Sequence, residues 1–156
     1  MRPLRGKHIA FQKPGIFLRC HGSSSRSEWQ CKFLARLDDA SPATLADIIS
    51  ECGRHRALQQ GKLVHAHISR QGLDGGTFLG NRLIEMYLKC GSVADARRTL
   101  YSMQEQTVVT WTVNMAAFSQ HGYCKEAIRL LREMQLRGFQ VDRVAFVTAL
   151  GWAVRS

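Results

Sequence analysis

Residues 87–103 read YLKCGSVADARRTLYSM, and residues 118–134 read FSQHGYCKEAIRLLREM. Sliding the first stretch forward by 31 positions sets Tyr87 on Phe118, Gly91 on Gly122, Ala96 on Ala127, Leu100 on Leu131 and Met103 on Met134. The shared residues are aromatic, small or aliphatic, the types that fill space, so what repeats is a unit of structure. A shift of 35 extends the pattern backward, placing Leu45, Ile49, Cys52, Gly61 and Ile68 under Gly80, Ile84, Tyr87, Ala96 and Met103. Self-similarity at this period marks stacked repeat architectures. The frame that follows is 42–76, 77–107, 108–142 and an unfinished unit over 143–156.

Each unit reads as two helices. In the third, Trp111, Met115 and Phe118 recur at helical spacing until Gly122, and Ala127, Leu131 and Met134 do the same until Gly138. Glycine at these points supplies the left-handed conformation that ends a helix. The small residues Gly61, Ala96 and Ala127 are expected to let the second helix of each unit approach the first, with Tyr87 and Phe118 filling the space beside them. One such hairpin cannot bury its own apolar faces, so the hairpins must stack. The expected fold is therefore all-α, a right-handed α-solenoid of about three helix-turn-helix hairpins plus a partial one.

The charge lies in two places. The formal net charge is +10, with eight Lys/Arg against three acidic residues in 1–41 and fourteen against nine in 42–156. The first 27 residues carry Arg2, Arg5, Lys7, Lys13, Arg19 and Arg26 with no acidic residue, and Ser23, Ser24 and Ser25 follow without a secretory apolar core. That composition suits an organelle-targeting segment, largely disordered, with a basic tail that touches RNA as the alternative reading. The uncharged run 107–124 approaches membrane-spanning length but holds Thr, Asn, Ser, Gln and His, so no membrane span is expected.

Candidate chemistry is sparse. Five cysteines, Cys20, Cys31, Cys52, Cys90 and Cys124, form no C-x-x-C pair and read as small buried residues in a reducing compartment. His65 and His67 stand two apart on a predicted helix and point to different sides, with no partner to complete a metal set. No nucleophile elbow, deaminase signature or phosphate-binding glycine loop is present. Neither an enzyme, a metal nor a cofactor is expected.

The stretch GNRLIEMYLKCGSVADARRTLYSM, with VVTWTVNMAAFSQHGYCKEAIRLLREMQLRGFQVD after it, closely resembles the pentatricopeptide repeat of plant organelle proteins. The preceding TLADIISECGRHRALQQGKLVHAHISRQGL resembles the long variant of that repeat, the 31-residue unit the short variant, and the third unit the standard one. Their alternation is the pattern of the plant PLS subclass. The chain ends inside the first helix of a unit opening RVAFVTAL, so the resemblance implies a truncated member, with Val144, Phe146, Val147, Leu150 and Trp152 left uncovered.

The resemblance implies that the chain binds single-stranded organellar RNA, about one base per repeat, in RNA modification such as cytidine-to-uridine editing, with neither DNA nor membrane as partner. It implies a mitochondrion, with the chloroplast as the alternative. In the family the fifth and last residues of a unit face the base, and an apolar second residue packs on its plane. Carried onto this sequence, the readers are Asn81 with Thr107 and Thr112 with Asp142, and the packers are Phe78 and Val109. Thr112 with Asp142 matches a guanine-favouring pair, whereas Asn81 leans to a pyrimidine and Thr107 departs from the usual Asp. Ala46 and Gly76 offer no reader in the first unit. A helix-start hydroxyl and a cap are the plain structural roles for Thr112 and Asp142. Other repeat or editing-factor proteins are expected at the open C-terminal end. Two other readings stand beside this one: a protein-binding scaffold of the tetratricopeptide kind, and a truncated product without selected function.

Overall fold

The computed structural model describes residues 36, 37 and 40–150, the last three by backbone alone. Among the described residues the chain forms helices and no strand. They are α1 (Pro42–Arg54), α2 (Leu58–Arg70), α3 (Thr77–Lys89), α4 (Val93–Ser102), α5 (Val108–Gln120), α6 (Cys124–Leu136) and α7 (Arg143–Leu150). The first helices α1, α3, α5 and α7 pack successively on one another, while α2, α4 and α6 each pack on the first helix of their own hairpin. In addition α2 reaches α3, and α6 reaches α7. The all-helical stack of hairpins expected from the repeat is what forms.

The core follows the repeat residue by residue. Ile49, Ile84 and Met115 are buried, as are Cys52, Tyr87 and Phe118 and, at the ends of the second helices or just past them, Ile68, Met103 and Met134. The first helix of each of the three hairpins turns into its partner through the same bond between residues five apart: Ala57 N–H donates to Cys52 O at 2.9 Å, Ser92 to Tyr87 at 2.8 Å and Tyr123 to Phe118 at 2.9 Å. This closure requires a residue in the left-handed region. Gly91 and Gly122 supply it at φ 78° and 84°, but in the first hairpin the position falls to Arg56, at φ 50°.

The short unit is short because α4 has 10 residues where α2 and α6 have 13. No glycine ends α4. Instead Gln106 Nε2 donates to the carbonyls of Leu100, Tyr101 and Met103 at 3.2–3.3 Å, satisfying groups that a helix end leaves open. Arg137, just past α6, then donates to Gln106 Oε1 at 2.6 Å and lies 5.4 Å from the Tyr101 ring centre and 5.3 Å from that of Trp111.

Successive second helices share an ion pair. Lys62 meets Asp95 at 3.0 Å and Arg97 meets Glu126 at 3.3 Å, the same two unit positions one hairpin apart. Such partly exposed pairs are worth under about 1 kcal/mol and serve chiefly to set register.

Three sequence expectations change. Gly61 gives its space to Met86 on α3 of the following hairpin rather than to α1, so its smallness serves stacking between units. Leu37, within the basic segment, is buried in the core and Ala40 packs against it; the remainder of that segment lies outside the described residues. Of the cysteines, Cys52 is buried, whereas Cys90 and Cys124 are only half-buried, and all three are free thiols. Cys20 and Cys31 lie outside the described residues.

Candidate functional site

The second residue of three successive first helices is exposed: Phe78 at 55%, Val109 at 69% and Val144 at 62%. Bulky apolar groups left in water at one recurring position need a reason, even though single apolar residues such as Leu136 are exposed elsewhere. Each sits on the first turn, where the helix start fixes its direction. α1 begins behind Ser41, whose Oγ accepts from Thr44 N at 3.3 Å, and α5 begins behind a reciprocal Thr107–Thr110 capping box.

One turn further on lies Asn81, half-buried. Its Oδ1 accepts from Asn114 Nδ2 at 3.0 Å, and the same Nδ2 donates to Thr110 O at 2.8 Å. Thr110 Oγ1 is 3.1 Å from Thr107 Oγ1. The two side chains assigned to the short unit, Asn81 and Thr107, are thus joined through Thr110 and Asn114, both belonging to the next hairpin.

Thr112 and Asp142 are not joined by a hydrogen bond among the described residues. Thr112 is half-buried, and its hydroxyl donates to Val108 O at 2.8 Å. Asp142 is exposed, and its Oδ1 accepts from Ala145 N at 2.7 Å, capping α7. Its Oδ2 has no partner among the described residues. Ala46 is buried at 6% exposure and presents nothing to a ligand.

Between α3 and α5 runs an open groove lined by Asn81, Asn114, Gln120, His121 and Val113, with Arg82 and Glu85 on its α3 side. Arg82 lies 3.6 Å from Glu85, and Lys89 lies 2.7 Å from it. Burial works to raise the Glu85 carboxyl, but Lys89 and Arg82 outweigh it and hold the group below its ordinary value. Burial and the Lys89 charge keep His121 below the usual imidazole range. The groove therefore offers amides, a neutral imidazole and a compensated ion cluster. Among the described residues no three His, Cys, Asp or Glu gather as a metal site, and no helix is long and apolar enough to cross a membrane.

Asn114 was not singled out from the sequence, although a signal existed. Counted from the start of each first helix, its position is Ile48 in α1 and Leu83 in α3, both fully buried. An amide there breaks the apolar pattern, and Asn114 is itself only 1% exposed.

The "PPR repeat" family model matches residues 109–139, spanning α5, the turn at Gly122 and α6. Two chloroplastic pentatricopeptide repeat-containing proteins of Arabidopsis thaliana are 32% and 36% identical over 112 and 115 residues, each match covering 72% of this chain and 18% of the relative. A mitochondrial one from the same plant is 36% identical over 112 residues, with the same coverage of 72% and 18%. The chain belongs to the pentatricopeptide repeat family. It spans a minor part of the length of these relatives. The α3/α5 groove is the junction between the second hairpin and the third, the hairpin that the family model matches.

Proposed function

We propose that this pentatricopeptide repeat chain is a non-catalytic, sequence-selective binder of single-stranded RNA in an organelle, acting in RNA modification by marking sites of cytidine-to-uridine editing. The observation that carries the proposal is an exposed apolar residue with a half-buried polar residue one turn beyond it on two successive first helices, α3 and α5: Phe78 with Asn81, and Val109 with Thr112. An unpaired base has an apolar face and a hydrogen-bonding edge, and this pairing of groups meets both. Thr107 and Asp142, proposed as the second readers, each cap the helix that follows, and Asp142 Oδ2 remains available to a guanine edge, which offers N–H donors.

The same groove favours a base over a peptide terminus. A carboxylate clamp needs unpaired cations, whereas Arg82, the one Lys or Arg lining this groove among the described residues, faces Glu85. Relatives carrying mitochondrial and chloroplastic names support an organelle, and we place the chain in the mitochondrion, with the chloroplast as the alternative. Other repeat or editing-factor proteins are proposed as partners of α7, where Val144, Phe146 and Val147 are exposed. Crosslinking the tagged full chain in purified mitochondria and chloroplasts and sequencing the bound RNA tests the proposal. Recovery of discrete transcript segments from one organelle is expected; recovery of none from either would contradict it.

A further inference from the structure

We infer that Asn114, a residue of the third unit, fixes the base preference of the unit before it by holding the Asn81 amide in one orientation. The inference rests on the RNA-binding reading and deepens it. An asparagine amide can turn either its oxygen or its nitrogen toward a base, and the two choices select opposite edges. Here the choice is forced from behind. Thr110 O is a backbone carbonyl and can only accept, so Asn114 must aim its Nδ2 at it, as the 2.8 Å contact shows. That nitrogen's other hydrogen then reaches Asn81 Oδ1 at 3.0 Å. With its oxygen engaged, Asn81 turns its NH₂ outward and presents donors alone.

Burial makes the device stiff. Asn114 is 1% exposed, so water does not compete for its bonds, and an unsatisfied amide there would be costly. The equivalent residues Ile48 and Leu83 accomplish the same packing without any polar atom. Structure alone therefore does not need an amide at this position. A donor facing the base suits an edge whose central ring nitrogen accepts, as N3 of cytosine does, and opposes one whose central nitrogen carries hydrogen, as N3 of uracil does. The short unit should thus prefer cytosine to uracil, two bases of one size.

The test measures the affinity of the full chain for oligocytidine and oligouridine octamers at one low salt concentration, homopolymers removing any question of register. One hydrogen bond corresponds to a preference of roughly fivefold. The Asn114→Leu chain, which copies Leu83, should keep its melting temperature and lose most of that preference, and should show no further loss once Asn81→Ala is present. Asn81→Asp, which still accepts from Asn114 but presents an oxygen outward, should shift the preference toward uridine and keeps the test open should Asn114→Leu fold poorly. Binding with a cytidine-to-uridine ratio unmoved by Asn114→Leu, or by Asn81→Asp, overturns the inference while leaving RNA binding intact. Failure of the parent chain to bind either octamer overturns the RNA-binding reading, and the inference with it.

Discussion

Gly61 on α2 lies so close to Met86 on α3 that a β-carbon built on it would come within 2.5 Å of the Met86 sulfur. This contact joins the first hairpin to the second. The Met86 thioether end can rotate, so Gly61→Ala is expected to be near neutral, its helix-propensity gain of about 1 kcal/mol offsetting the displacement. A branched side chain leaves no such escape, and Gly61→Val should destabilise by about 1–3 kcal/mol. Urea unfolding of the two variants beside the parent checks both signs.

Arg56 stands at φ 50° where the later hairpins use glycine. A non-glycine residue in this region carries about 1–2 kcal/mol of strain. Arg56→Gly should therefore raise stability by up to about 1 kcal/mol, less the added freedom of the unfolded chain. The opposite change, Gly122→Arg, should lower it. Paired thermal melts of the two variants would expose an error in either direction.

His65 links the first two hairpins through a 2.8 Å contact with the Tyr87 hydroxyl. Burial lowers its proton affinity, outweighing the opposite pull of Asp74 and Asp95. The folded value thus lies below the unfolded one, so the unfolded chain binds more protons and stability is lost as pH falls below about 6.5. Asp95 is held below the ordinary carboxyl range by the Ser92 hydroxyl, with Lys62 and Arg98 assisting against burial. Its contribution is present above about pH 3.9 and is lost below. Denaturation across pH 7 to 3 should show two stages of decline, with His65→Gln reducing the first and Asp95→Asn the second.

Burial on both sides explains how much of this was legible in the sequence. Ile49, Ile84 and Met115 announce themselves because every unit must bury the same position, and the Gly91 and Gly122 turns because glycine tolerates φ that other residues resist. The turn at Arg56 was hidden, since nothing local to that residue marks it as strained; only alignment with Gly91 does. Gln106, which closes α4, was equally invisible because its work depends on where the chain brings its amide. At the candidate site, Phe78, Asn81, Val109 and Thr112 could be named from their place in the unit. The bonds they make could not. Asn81 is oriented by a residue 33 positions away, and such a contact exists only once hairpins stack.

Arg137 should prove a structural cation rather than a ligand for phosphate. It lies over Tyr101 and Trp111 and bonds Gln106 and Glu133. Its replacement by alanine removes cation–π contacts of about 0.5–2 kcal/mol and the hydrogen bond to Gln106. Arg137→Ala is expected to lower the unfolding midpoint while leaving the salt dependence of RNA binding unchanged. A reduced salt slope with unaltered stability would assign it to the RNA backbone instead.

The most direct measurement of the account is the base preference of the third unit before and after Asp142→Asn. Asparagine caps a helix about as well as aspartate, so α7 should start unchanged behind it. The carboxylate only accepts, which suits the N–H donors of guanine, whereas the amide can also donate to N1 of adenine. Affinities of the full chain for single-stranded RNAs that differ at one base, at fixed low salt, should favour guanine for the parent and move toward adenine for Asp142→Asn. Equal affinities for the two bases in both proteins would contradict the assignment of Thr112 and Asp142 as readers.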